Sequence, residues 1–357
     1  MRPVLYVPDE AAFKYNGVGV LSDSLSCDVT QEKNGIYTLD MEYPTAGIWA
    51  EYLLPNYIIK AQAHDSDDVQ LFRIQRAITT NKGTKQVEAN HISYDLIGRP
   101  VGAYTASGVA SAVAGINANA VIPTGFTFTT NMTSNVQYSI LTPRSAKAVL
   151  GGQEGSLIDV YGGELKYDNF NVALLDQLGS DRGVQVRYGK NLINLKQELD
   201  SEEACNGLLP FWYRDDEGLA VASSPSTTSW GYGYNDYRTV DYTEEFDNKP
   251  TAAQLKALAD SRVGGMPALN QSLSVSFLSL YQLKEYALIS VLEKVALGDT
   301  VTVNYYLWDK DGVEKVNINT KTRVVKTVFN TLSEQYKSLE LGTLKTTVAD
   351  ILLKEGK

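Results

Sequence analysis

Gln31-Glu32-Lys33-Asn34-Gly35-Ile36-Tyr37-Thr38-Leu39-Asp40-Met41-Glu42-Tyr43 decides the fold class. Asn-Gly takes the positive φ angles that a tight hairpin turn needs, and the residues after it alternate apolar and polar on the way back. With Leu25–Val29 as the outgoing strand, the stretch predicts a β-hairpin. A second hairpin is expected where Gln70-Leu71-Phe72-Arg73-Ile74 and Gln86-Val87-Glu88-Ala89 flank Asn81-Lys82-Gly83. Two hairpins within a hundred residues fit a small antiparallel barrel or sandwich.

Outward from there, the composition of Ser107–Asn119 shifts to Ala, Gly and Val, which predicts a closely packed helix. Thr142-Pro143, followed by Arg144–Leu150 and Gly151-Gly152, predicts a short helix with Thr142 as its cap. Another turn or two of helix is expected over Gly155–Tyr161, then strands at Glu164–Asp168 and Val184–Tyr188. From Leu208 strands return as Phe211-Trp212-Tyr213 and Leu219-Ala220-Val221-Ala222 around Asp215-Asp216-Glu217-Gly218. Thr251-Ala252-Ala253-Gln254 is a capping box opening a helix through Leu255, Leu258 and Val263. Strands Thr300–Tyr306, Arg323–Phe329 and Tyr336–Leu341 follow, with a turn at Asp309-Lys310-Asp311-Gly312.

The chain has 357 residues, more than one growing core accommodates, so several packed units are expected. The expected class is α+β and predominantly β: two antiparallel β-barrel domains joined by mixed α+β domains. The first barrel is placed at 1–98 and an α+β domain at 99–195. The second barrel is discontinuous, at 196–247 and 295–345, with a helical or mixed insertion at 248–294 and a tail at 346–357. The 22 tyrosines suit half-buried pleated surfaces and contacts, where a ring packs and its hydroxyl stays wet.

The net charge of −10 and the lack of any Lys/Arg run argue against gripping nucleic acid. The opening Met1–Phe13 has no basic stretch leading into an apolar one, and no window is apolar enough to span a bilayer, so neither secretion by a leader nor stable membrane insertion is expected. Cys27 and Cys205 lie far apart and form no C-x-x-C element, which fits buried free thiols made in a reducing cytoplasm.

Catalytic chemistry finds little purchase. The two histidines are His64, in the acidic loop Ala63–Asp68, and His91, at a strand end where a structural role is expected. Asp309–Gly312 and Asp215–Gly218 lack the later ligands of a calcium loop, and Gly151–Gly155 lacks the lysine and hydroxyl residue of a phosphate loop. No catalytic residue, metal ligand or cofactor site is assigned. Trp230-Gly231-Tyr232-Gly233-Tyr234-Asn235-Asp236-Tyr237 is the one candidate contact loop, with Trp230, Tyr232, Tyr234 and Tyr237 as its contact residues.

Leu141–Gly152, Gly155-Ser156-Leu157, Gly163–Phe170, Gly179–Val184 and Arg187–Leu192 resemble the middle of the tail-associated hub proteins of long-tailed siphophages, the prophage endopeptidase tail family. Val295–Val301, Arg323-Val324-Val325 and Tyr336–Gly342 resemble the closing barrel of the same family. The resemblance implies a baseplate-hub-like fold and a trimeric, non-enzymatic adaptor between the distal tail protein ring and the tip. Tape-measure and downstream tip or receptor-binding proteins are implied as further partners, and the channel would pass DNA without specific binding. The implied location is the virion tail tip, assembled in the bacterial host cytoplasm. Larger relatives append a cell-wall hydrolase, a part expected to be absent here because the sequence continues only fifteen residues past Gly342. The competing readings are a peptidoglycan hydrolase and a carbohydrate-binding tail module.

Overall fold

The computed structural model describes residues 2–65, 69–187, 191–200, 205–228, 236–265, 270–277, 294–308 and 314–342. The chain divides into two compact units, one of 1–195 with 274–341 and one of 196–273 with 342–357.

In the first unit, β1 (Val4–Tyr6), β2 (Gly19–Val20), β3 (Ser26–Glu32), β4 (Tyr37–Pro44), β5 (Ile58–Gln62), β6 (Val69–Thr79) and β7 (Thr84–His91) form an antiparallel array. The expected hairpins are β3–β4 and β6–β7. Asn34 (φ 54°) and Gly83 (φ 76°) supply the left-handed turn residues. In β4, Tyr37, Leu39, Met41 and Tyr43 are buried while Asp40 is exposed, the alternation of a strand with one face on the core.

The α+β segment follows. It comprises β8 (Pro100–Val101), β9 (Tyr104–Ser107), α1 (Val109–Ala118), β10 (Thr127–Thr130), β11 (Gln137–Ile140), β12 (Arg144–Ser145), α2 (Ala146–Leu150), α3 (Leu157–Tyr161), β13 (Glu164–Asp168) and β14 (Asn171–Leu175). The Ala-rich stretch is helical, as its composition predicts. The cap of α2 differs from expectation. Thr142-Pro143 lies before it, Arg144 and Ser145 pair with Val101 and Pro100, and the Ser145 hydroxyl accepts from the Ala148 N–H (3.2 Å). Pairing with β8 draws Arg144 into extended backbone, which moves the helix start to the next residue able to cap it.

After β15 (Asp181–Arg187), β16 (Leu192–Asp200) leads toward the second unit. That unit contains β17 (Gly207–Arg214), β18 (Gly218–Val221), β19 (Ser226–Thr227), β20 (Tyr237–Asp241) and α4 (Ala252–Arg262). Its sheet packs Leu208, Trp212 and Val240 against Leu255 and Ala259 of α4. The capping box is complete: Thr251 Oγ1 accepts from Gln254 N–H, and Gln254 Oε1 accepts from Thr251 N–H (2.9 Å).

The last strands are β21 (Asn270–Phe277), β22 (Thr300–Trp308), β23 (Glu314–Asn330) and β24 (Gln335–Gly342). β22 lies between β15, parallel, and β23, antiparallel. β23 changes neighbours midway: Glu314–Arg323 faces β22, whereas from Val324 it faces β24 and, from Lys326, also β3. The pairings therefore run β24-β23-β3-β4-β7-β6-β5-β1-β2 as an open path. The protein is mainly β, and no closed barrel forms among the described residues. The C-terminal strands thus join the sheet of the N-terminal ones, whereas the sequence partition placed 295–345 with 196–247. The expected turn at Asp309–Gly312 and the tail 346–357 lie outside the described residues, as does 278–293 of the expected insertion.

Candidate functional site

His91 closes β7 inside the first unit and is buried. Its Nδ1 accepts from the Ser93 N–H (3.2 Å), so the proton sits on Nε2, which donates to Gln70 Oε1 (3.1 Å). Gln70 in turn donates to Asp168 Oδ1 (3.1 Å) and accepts from Asn169 N–H (2.9 Å), fixing the side-chain amide. The ring stacks on Tyr37 at 4.3 Å and meets Phe72 edge-on. Burial, with the nearby Lys147 charge adding to it, lowers its pKa to about 3. A neutral imidazole with both nitrogens committed is a packing element joining β7 to the β13–β14 turn. It has the role expected of it.

Lys147 of α2 lies over the rings of Tyr94 (4.6 Å) and Tyr167 (4.2 Å) and donates to the Tyr167 hydroxyl (2.8 Å). Burial lowers its pKa to about 8. A second polar junction brings buried Glu164 of β13 together with half-buried Arg323 of β23 and Lys33 of the first hairpin turn. Asn34 in that same turn accepts from Leu165 N–H (2.8 Å) and donates to Gly163 O (3.0 Å). The turn residues were legible from the sequence; their grip on β13 was not.

Gly151–Gly155 punctuates helices: Gly151 ends α2, and Gly155 N–H donates to Asp159 Oδ2 (2.7 Å). At Asp215–Gly218, Gly218 takes φ 73° and Glu217 O accepts from Lys249 Nζ (2.7 Å), a hairpin turn tied to the segment before α4. His64 and Asp65 are the last described residues of their loop, and Ser66–Asp68 lie outside it. Among the described residues no three His, Cys, Asp or Glu side chains converge to hold a metal ion.

What remains is a surface. In the second unit α4 covers one face of the β17 sheet. Strand alternation puts Leu209, Phe211 and Tyr213 on the other. Tyr213 pairs with Leu219 and Phe211 with Val221 on β18, while Leu209 and Phe211 pair with Thr239 and Asp241 on β20. Paired residues share a face. Leu219 is 57% exposed, Tyr213 50% and Val221 37%, high values for apolar side chains set side by side. Tyr237, 47% exposed, lies across Gly207, where a Cβ would come within 2.1 Å of its ring. Tyr237 is the described end of the candidate contact loop; Trp230, Tyr232 and Tyr234 lie outside the described residues. Sequence reading singled out the loop and missed the neighbouring row, although Tyr213 and Leu219 straddle a recognisable hairpin turn.

Residues 180–352 match the family described as prophage endopeptidase tail. The chain is similar in structure to prophage tail protein gp18 from Listeria monocytogenes EGD-e (TM-score 0.57, 17% identity, 99% of this chain and 98% of that one covered). It is also similar to the 43 kDa tail protein of prophage MuSo2 from Shewanella oneidensis (TM-score 0.60, 11% identity, 96% and 98% covered). A tail protein from Neisseria meningitidis MC58 shares the fold as well (TM-score 0.53, 11% identity, 98% of each chain covered). No curated protein sequence matches the chain. At these identities the structural likenesses establish a shared fold, and the family resemblance is shown over 180–352.

Proposed function

From a chain that carries the prophage endopeptidase tail region at 180–352 and the fold of prophage tail proteins along its length, we propose that the protein is a structural hub of a phage or prophage tail. It acts as a homotrimeric adaptor between the distal tail ring and the tip, and its walls form part of the tail channel. The observation that carries this reading is the likeness to prophage tail proteins over 96–99% of the chain, so the fold as a whole, rather than a grafted site, is what the relatives share.

The mechanism is one of symmetry. Similar wall surfaces repeated around the trimer let a three-fold hub meet a six-fold ring. An acidic wall repels the DNA that slides past it, consistent with the net charge of −10. The work is done by repeated surfaces, without catalysis, and the aromatic loop ending at Tyr237 serves as a contact. Tape-measure and downstream tip or receptor-binding proteins complete the assembly, at the tail tip of the virion.

The mass of the complex formed with the cognate distal tail protein tests the reading. Three copies of this chain on six of the ring protein is the expected stoichiometry. No complex at high micromolar concentration, with the partner folded and hexameric, overturns it.

A further inference from the structure

The open face of the β17 sheet has a chemistry that identifies its occupant, independently of the tail reading. Its centre is apolar: Phe211 and Val221 face one another across one rung, Tyr213 and Leu219 across the next. Its edges are acidic. Asp241 stands beside Phe211 on β20, and Asp215, bonded to the Tyr213 hydroxyl (3.0 Å), begins the exposed acidic turn with Asp216, while the cations at this turn, Arg214 and Lys249, are held on the backbone carbonyls of Asp247 (2.6 Å) and Glu217 (2.7 Å). The chain around it is acidic too: residues 196–273 contain thirteen Asp and Glu against six Lys and Arg, seven of the net ten negative charges of the whole protein.

We propose that this face docks a segment of a different protein chain that is apolar at its centre and carries Lys or Arg at its flanks. Exposed apolar side chains clustered on one face mark interaction sites. The aromatic and branched residues here supply the desolvated centre of an interface and the carboxylates its polar rim. Charge decides between occupants. A second copy meeting this face through the same face brings Asp215, Asp216 and Asp241 against their own kind, which opposes association. A saccharide would use the aromatic rings but gains little from Leu219 and Val221, whose branched chains offer neither a flat ring nor a hydrogen bond. A nucleic acid or an anionic bilayer is repelled outright. A segment with basic flanks gains from both centre and rim.

The test uses the full chain, labelled and applied to an array of random-sequence peptides, with the strongest peptide then titrated in solution. Peptides with an apolar centre and flanking Lys or Arg are expected to be enriched, and their affinity to fall as salt is raised. Leu219→Glu, at an exposed position, is expected to weaken binding by about tenfold or more, and Asp215→Lys with Asp216→Lys to weaken it further, with thermal midpoints unchanged. Equal retention of the peptides by Leu219→Glu, enrichment of acidic peptides, or no enrichment overturns the proposal. So does self-association of the chain that Leu219→Glu abolishes, which gives the face to a second copy. Adsorption to purified cell-wall polysaccharide that Leu219→Glu abolishes also overturns it, in favour of a glycan.

Discussion

Arg323 donates two hydrogen bonds to the carboxylate of Glu164, at 2.7 and 2.8 Å, although the two are separated by 159 positions in the chain. Leu178 N–H (2.6 Å) and Lys33 Nζ (3.2 Å) complete the shell around that carboxylate. Burial alone would raise the Glu164 pKa, but these donors, Arg323 foremost, outweigh it and bring it down to about 2, from an ordinary value of 4.5. The native state therefore binds the proton less readily than the unfolded one. The stabilisation is complete above about pH 4.5 and lost as pH falls toward 2. Glu164→Gln is expected to cost about 2–3 kcal/mol at pH 7, and the difference from the parent chain to shrink between pH 4.5 and 2. Denaturant titrations at several pH values measure this. An equal gap at pH 7 and pH 2 rules the linkage out.

His91 moves stability in a higher window. Its native pKa of about 3 lies below the ordinary 6.5, so the unfolded chain takes up the proton first. Stability is full above pH 6.5 and declines as pH falls from there toward 3. His91→Ala should lower stability at pH 7 by about 3 kcal/mol, through lost packing and an unpaired Gln70 contact, and flatten the slope between pH 6.5 and 4.5. On the proposed hub role, complex formation with the distal tail protein should survive the change. A steeper acid slope in the variant would contradict this assignment.

Lys147 acts at the alkaline end. Burial takes its pKa to about 8, below the ordinary 10.5. The unfolded chain holds the proton between those values, so the native state gains stability as pH rises through 8 to 10.5. Lys147→Met keeps the stem between Tyr94 and Tyr167 and removes the charge. Its stability is expected to lack that rise, as read from thermal midpoints at pH 7.5 and 10.

Tyr37 presents the reverse case, a polar atom without a use. Among the described residues no partner lies within hydrogen-bond reach of its buried hydroxyl, while its ring is fixed between His91 and Phe72. Tyr37→Phe removes a desolvated group and keeps the stacking. The expected result is a stability unchanged or raised by up to about 1 kcal/mol. A loss of more than about 1 kcal/mol would show that the hydroxyl is bonded through water.

Cys27 and Cys205 are both free and buried. Burial raises the Cys27 thiol to about 12 and moves Cys205 upward too. Neither thiol should react with an alkylating reagent in the native protein at neutral pH, and both should react after denaturation without reductant, counted by intact mass. Rapid native labelling of Cys27 is the contrary result.

Legibility followed range. The first hairpin, the Ala-rich helix and the Thr251 capping box are each dictated within about a dozen residues, by φ preference, composition and one reciprocal bond pair, and each forms where the sequence places it. What β23 joins depends on residues three hundred positions away, and local patterning contains nothing that names a strand's distant partner. The open face behaves similarly. Phe211-Trp212-Tyr213 reads as a strand from its residues alone, but which side α4 covers is settled only by packing, so the exposed row of Tyr213 and Leu219 stayed hidden while the ring-rich Trp230–Tyr237 stood out.

The pairing of β23 with β3 also sets an order on biosynthesis. Lys326 faces Glu32 and Asn330 faces Asp28, so β3 leaves the ribosome nearly three hundred residues before the strand that covers its flank. Throughout that interval β3 is a bare edge with unclaimed amides and carbonyls, open to any passing strand. Fragments truncated before residue 320 are expected to collect in the insoluble fraction even though the β3–β4 and β6–β7 hairpins are already present in them.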